Sequence, residues 1–314
     1  MNSDKKHIDI LCVGEALIDF IGTQVDEPID KTKDYHRYLG GSPTNVAMNM
    51  ARLGLNVEMV ATVGTDGFGD YILNRLKETN ISTTYISQID THPTSVIFVN
   101  RTVHTPEFIA VRGADPFIVE SQIPDSILTQ TKLFHTSCFA LSKEPARQTI
   151  LSKAKLAKVA GCQLSIDINY SKQIWPETED AVEAISKYCS LNPLVKVSQD
   201  DINNLFGKGM SHDEIFANLH SLGASLVCLT LGNKGAKLSE AGKPILELSA
   251  LKVDKIMDAT GAGDAFWSGF LFSRIRGETN RISMETALKM AAIKLQNVGR
   301  IPDYALIISN VLNN

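Results

Sequence analysis

Leu194-Val-Lys-Val-Ser-Gln-Asp-Asp-Ile-Asn-Asn-Leu-Phe206 is a short apolar run that passes without a linker into a helical pattern. A strand feeding directly into a helix is half of a parallel β-α-β unit. The pairing recurs along the chain: strands are expected near 133–135, 162–168, 194–198 and 226–230, and helices near 144–160, 179–190, 199–206 and 212–222. Upstream, residues 7–13 (HIDILCV) and 57–63 (VEMVATV) read as further buried strands. The helix after the first has Pro43 in its first turn and Gly54 at its end, and the helix after the second runs through Tyr71, Leu73 and Leu76. Such alternation implies an α/β fold with a mainly parallel sheet covered by helices on both faces. A hairpin near 235–248, turning at Ala241-Gly242, is expected to finish one edge.

The alternation pauses twice. Residues 94–99 and 107–111 flank a polar turn and read as an antiparallel hairpin; with 17–22 and 35–38 they can form a small sheet of their own. Insertions at about 15–40 and 92–115 would then make a lid on one domain spanning residues 1–314.

Composition narrows the function. At 44% hydrophobic and 21% charged, the chain of 314 residues is ordinary for a globular protein. No apolar run approaches the roughly 18 residues of a membrane span, and the start MNSDKKHIDILCVGE has no cleavage pattern, so a cytoplasmic protein with no membrane partner is expected. A net charge of −4 without a basic stripe argues against nucleic acid. The five cysteines are scattered through apolar runs and read as core residues, and His135 reads as a buried polar group.

The chemistry concentrates in Asp258-Ala-Thr-Gly-Ala-Gly-Asp-Ala-Phe-Trp-Ser-Gly269, where Gly261, Ala262 and Gly263 leave the main chain open just before a buried helix. Exposed N–H groups and the positive end of a helix dipole suit phosphate or developing negative charge. Asp264 in the first turn is either a general base beside that anion site or a helix cap. Asp19, inside an apolar run, must be paired or functional, because burying a lone carboxylate is costly. With Gly40, Gly41, Ser42 and Asn45 it offers donors and acceptors suited to sugar hydroxyls; a turn and helix cap is the plainer reading of the same residues. No Walker A sequence occurs, and Gly261 to Phe266 lacks the third glycine of a dinucleotide fingerprint.

Two motifs in order, Gly40-Gly-Ser-Pro-Thr-Asn45 with Gly54 and Gly64 downstream, and Asp258 to Gly269, make the chain resemble the ribokinase (phosphofructokinase-B) family of carbohydrate kinases nearly end to end. Gly64-Thr-Asp-Gly-Phe-Gly69, Arg112-Gly-Ala-Asp115, Asp167-Ile-Asn169 and Val197 to Gly207 resemble its bacterial fructokinase branch. The resemblance implies a ribokinase-like three-layer sandwich with a β-sheet lid, ATP and Mg2+ as cofactors, a monovalent cation such as K+, and a homodimer formed through the lid. It makes Asp264 the base and Gly261, Ala262 and Gly263 the anion hole. Asp19, Gly41, Asn45 and Arg112, beside Gly40 and Ser42, would hold the sugar. Asn169, Ser198, Thr230, Gly232, Gly235 and Asn297 would line the ATP side. Asp201 would reach magnesium through a water, and Asp258 with the Thr260 carbonyl would hold the monovalent cation.

Three positions depart from that pattern: Ala259 replaces a small hydroxyl residue or Pro, Ser171 an Arg, and Asp201 a Glu. The expected activity is phosphorylation of a primary hydroxyl of fructose. The same fold would serve 2-keto-3-deoxygluconate, ribose or a nucleoside, and Ser171 with Asp201 motivates a sugar-binding sensor of weak catalytic power.

Overall fold

The computed structural model describes residues 6–102, 106–299 and 301. The first half carries β1 (Ile8–Val13), β2 (Leu17–Val25), β3 (Tyr35–Gly40), α1 (Ser42–Arg52), β4 (Val57–Gly64), α2 (Gly67–Glu78), β5 (Ile86–Ile89), β6 (Val96–Arg101) and β7 (Phe108–Val111). There follow α3 (Asp125–Thr129), β8 (Thr131–Ser137), α4 (Ala146–Val159), β9 (Gln163–Ile168), α5 (Thr178–Cys189), β10 (Leu194–Ser198), α6 (Gln199–Phe206) and α7 (His212–Ser221). The last elements are β11 (Leu226–Thr230), β12 (Ala236–Glu240), β13 (Leu246–Leu248), α8 (Ala262–Ile275) and α9 (Asn280–Leu295).

Nine strands form the main sheet in the order β13-β12-β11-β10-β9-β8-β1-β4-β5. It is parallel from β5 to β11, and the expected hairpin β12–β13 closes one edge antiparallel. The four remaining strands form the separate sheet β3-β2-β6-β7. Within it β2 and β6 run parallel, while β3 and β7 pair antiparallel to them.

Side-chain alternation explains why both faces are covered. In β1, Leu11 and Val13 enter one apolar cluster and Ile10 and Cys12 the other, all four fully buried. In β9 and β10, Ile166, Ile168, Val195 and Val197 enter the first cluster. Ser165, Asp167 and Lys196 therefore face the side covered by α8, where Trp267 Nε1 donates to Ser165 Oγ at 2.9 Å. His135 shares this seam: its Nδ1 meets Ser165 Oγ at 3.0 Å, and burial beside Lys196 pushes its pKa down to about 3. All five cysteines are buried and unpaired.

α8 is buried at every position from Ala265 to Ser273. It lies between the sheet and α9, and a Cβ at Gly269 would come within 3.0 Å of Thr286 O and of Met290 Cγ, so only glycine lets the helices meet here. Neither α9 nor the half-exposed edge strand β5 was expected from sequence; the β5 residues ISQI show no apolar alternation. Among the described residues no helix is long and apolar enough to cross a membrane.

Glu15, which no sequence motif singles out, ties β1 to α1. Its Oε1 accepts from Ser42 N at 2.9 Å, its Oε2 meets Ser137 Oγ at 2.8 Å, and its carbonyl accepts from Thr44 Oγ1 at 2.8 Å. Burial raises the Glu15 carboxyl to about pH 8 against the pull of these hydrogen bonds. A folded-state pKa above the unfolded one contributes stability that is complete below the ordinary carboxylate range and lost as pH rises through about 8. Glu15→Gln keeps the acceptor for Ser42 and a donor for Ser137. It is expected to melt close to wild type at pH 4 and to gain on it by pH 9, whereas Glu15→Ala strands two buried partners at a cost of about 1–3 kcal/mol. Thermal melts of all three at both pH values check this; a pH-independent gap between wild type and Glu15→Gln contradicts it.

Candidate active site

The first turns of α1 and α8 meet at the ends of the central strands. Gly41, at φ 102°, is the N-cap of α1, and a Cβ there would lie 2.2 Å from the Glu15 carbonyl oxygen. Gly261, at φ 75°, is the N-cap of α8 in the left-handed region. Both positions require glycine for conformation. The second helix starts at Ala262, slightly earlier than the sequence suggests, and Asp264 lies as expected in its first turn, as the third residue.

Asp264 is not a cap. Its Oδ1 accepts from Ser42 Oγ at 2.7 Å and its Oδ2 from Asn45 Nδ2 at 2.8 Å, so both carboxylate oxygens are held by α1. Burial raises its pKa, and Ser42, Asn45, Lys196 and Lys294 oppose the rise. The Ala262 N–H turns back to Ala259 O at 3.1 Å. The open donors of the expected anion hole are therefore those of Gly263 and Asp264, which helix geometry leaves without an intrahelical acceptor.

Two lysines that sequence reading passed over flank this turn. A Cβ at Gly263 would lie 2.8 Å from Lys196 Nζ, and one at Gly261 3.5 Å from Lys294 Cε. Lys196 pairs with Asp167 at 2.9 Å; burial opposes its charge, but Asp167, Asp201 and Asp264 outweigh it and hold the pKa above its ordinary value. Lys294 Nζ lies 3.5 Å from Asp258 Oδ2 and 3.1 Å from Asn297 O, while Asp258 Oδ1 accepts from Thr260 N at 3.0 Å. The expected ligands of a monovalent cation thus face a lysine ammonium. The sequence signal was available in part: a Lys at the centre of an apolar strand, or amid the apolar residues of a helix, must be paired.

A cavity of about 90 Å³ opens beside these residues, smaller than the roughly 300–1,000 Å³ of pre-formed small-ligand sites. Asp19, Tyr38, Asn45, Asn49, Arg52, Tyr71, Arg75, Thr260, Gly261 and Lys294 are among its lining residues. A Cβ at Gly40 would lie 2.2 Å from Asp19 Oδ2, so that glycine makes room for the carboxylate. Burial first, then Asp264 and Asp258, raise Asp19 to about pH 7.

Arg112 is placed elsewhere than expected. It grips the buried Asp115 with Nε and a terminal nitrogen, donates to Ser142 and lies 4.3 Å over the Phe139 ring. A carboxylate as buried as Asp115 needs a cation, and this takes Arg112 away from the cavity lining. Ser42 likewise donates to Asp264 rather than standing free for a ligand.

The residues expected on the nucleotide side have mixed placements. Ser198 and Asp201 form the capping box of α6. Asn169 Oδ1 accepts from Phe139 N at 3.1 Å, and Thr230 closes β11. At Gly232 an added Cβ would meet open space, but at Gly235 it would lie 2.0 Å from Leu248 O, so Gly235 serves the β12–β13 edge. Asn297 joins the last turn of α9, on the Lys294 side. Ser171 Oγ accepts from Gln173 N in a turn, and Lys172 is exposed.

Comparison with known proteins agrees with this arrangement. The pattern of the pfkB family carbohydrate kinases matches residues 7–305. An ATP-dependent 6-phosphofructokinase of Thermoanaerobacterium thermosaccharolyticum is 37% identical over 300 residues, covering 96% of this chain and 92% of its own. The Halothermothrix orenii fructokinase structure superposes with a TM-score of 0.79 at 33% identity, covering 90% of this chain and 98% of that one. A fructokinase of Xylella fastidiosa with bound ATP, 24% identical, shares the fold at a TM-score of 0.83, covering 97% and 98%. The chain therefore belongs to the pfkB family of carbohydrate kinases.

Proposed function

We propose that the chain transfers the γ-phosphoryl group of ATP to a primary hydroxyl of a ketohexose, with fructose as the first reading. The observation that carries this is the Asp264 carboxylate, fixed by Ser42 and by the cavity-lining Asn45 in the first turn of α8. Asp264 takes the hydroxyl proton as the sugar oxygen bonds to phosphorus and the bond to the ADP leaving oxygen breaks. The Gly263 and Asp264 amides and the neighbouring Lys196 meet the charge of the transferring group.

The donor set suits magnesium carried by a nucleotide, which needs only one or two carboxylates beside phosphates and waters. Asp167 Oδ1 is buried with no hydrogen-bond partner among the described residues, and Asp201 lies close enough to raise the Asp167 pKa. These two would hold the ion, which would offset the charge of the phosphates. The second sheet supplies Asp19, Ile21, Tyr38 and Leu39 to the cavity, so its closure as a lid would keep water from the phosphoryl group. The expected homodimer would use the outer part of this sheet, where Ile109 and Val111 are half exposed. Sedimentation of monomer alone at micromolar concentration contradicts that assembly.

A second reading, fructose 6-phosphate, rests on the far end of the cavity. Asn45, Met48, Asn49 and Arg52 share one face of α1, so the cavity runs two turns, roughly 10 Å, from the base to Arg52. Arg75, beside Glu78, and Tyr71 face it from α2, and Arg37 lies 3.9 Å over the Tyr71 ring. The 37% identical relative carries the name of a kinase for that substrate.

Asp264→Asn is expected to lower kcat by roughly 100-fold or more while sugar affinity stays near wild type. Calorimetric sugar binding beside a coupled assay checks this; nearly unchanged turnover removes Asp264 as the base. The acceptor is settled by kcat/KM for fructose, fructose 6-phosphate, 2-keto-3-deoxygluconate, ribose and a nucleoside. If the phosphorylated sugar is the substrate, Arg52→Gln and Arg75→Gln each raise its KM by about tenfold or more, and leave that of fructose nearly unchanged. Equal effects on both sugars refute an anion contact at these arginines.

A further inference from the structure

The loop ahead of α8 is held from one side by α9. Met257 N donates to Leu295 O at 2.8 Å, and Lys294, from the last turn of α9, passes its stem beneath Gly261. Its ammonium ends between Asp258 Oδ2 at 3.5 Å and the Asn297 carbonyl at 3.1 Å, with the side chain 6% exposed. The charged groups that face it are Asp258 from the loop, Asp264 from α8 and Asp19 from β2. Lys294 therefore faces carboxylates from three elements, sharing Asp264 with Lys196, at the end of a helix whose terminal carbonyls also favour positive charge.

A small monovalent ion bound to Asp258 and Thr260 would compete for this same place. The carboxylate oxygen not used by Thr260 N is already on the ammonium, and a second positive charge at that distance would be repelled in a site with little water. The residues present do not fit an exchangeable ion.

We propose that Lys294 is a built-in cation that takes the place of an exchangeable monovalent ion. It fixes the loop 258–261 and so aims the first amides of α8, which makes the enzyme independent of K+. Lys294 is a positioning residue: it touches the loop that carries the anion site rather than the reacting atoms. Neutralised in place, it leaves Asp258 without a counter-charge and a gap of the right polarity for an ion.

The test rests on the kinase reading for its kinetic part and is independent of it for the rest. Wild type and Lys294→Met are compared in potassium chloride and in choline chloride at equal ionic strength. Melting temperature, calorimetric affinity for ADP and the KM for ATP are read in each. Wild type should be the same in both salts by all three measures. In choline, Lys294→Met should bind ADP more weakly and raise the KM for ATP by up to on the order of 100-fold, the scale of a misplaced site. Potassium should restore most of that loss and raise its melting temperature, as a ligand of the folded state does. Stabilisation or tighter nucleotide binding of wild type by potassium overturns the proposal, as does a Lys294→Met protein that is unimpaired in choline or impaired without rescue. If that variant does not fold, the wild-type melting and ADP measurements still decide. If wild type turns over no sugar, these same two measurements separate failure of the kinase reading from failure of this one.

Discussion

The hydrogen bonds from Ser42 Oγ and Asn45 Nδ2 to Asp264 join two helix starts that are more than two hundred residues apart in sequence. Everything around them serves that meeting. Gly41 and Gly261 give each helix a cap conformation closed to other residues, Glu15 holds the Ser42 amide from below, and Gly40 leaves space for Asp19. The carboxylate is oriented by neutral donors and remains an acceptor, which is the state a base requires.

Charge is arranged around that contact with comparable economy. Asp19, Asp167, Asp258 and Asp264 crowd together, and the buried ammonium groups of Lys196 and Lys294 stand between them. Burial first, and then the surplus of carboxylates, raises Asp19 and Asp167 to about pH 7. Such a surplus of carboxylates favours protons or a cation.

The parallel sheet was legible because β1, β4, β9, β10 and β11 are apolar runs, three of which, β4, β9 and β10, lead on to a helix. The two glycine motifs could be read because their function needs the absence of a side chain, which sequence reports directly. Glu15, Lys196 and Lys294 escaped because nothing local marks them; each is explained only by a partner brought in by the tertiary fold. The pairing of Arg112 with Asp115, only three residues on, went unread because the burial of that carboxylate is invisible in sequence. β5 was missed because it is a short edge strand whose residues carry no alternation.

Because α8 is buried along nearly its whole length, the helix that carries the base is also a structural centre of the molecule. Its amides belong to the unit that opens only with global unfolding, whereas those of the second sheet, with half-exposed β3 and β7, belong to units that open at lower cost. Hydrogen exchange would therefore separate the chain into a slow part that includes Asp264 and a faster part that includes the second sheet. Damage to the apolar side of α8 then has no purely structural phase: a substitution that loosens Trp267 or Phe270 shifts the base before the fold is lost. In such a protein the temperature at which turnover fails should lie below the temperature at which the sheet melts.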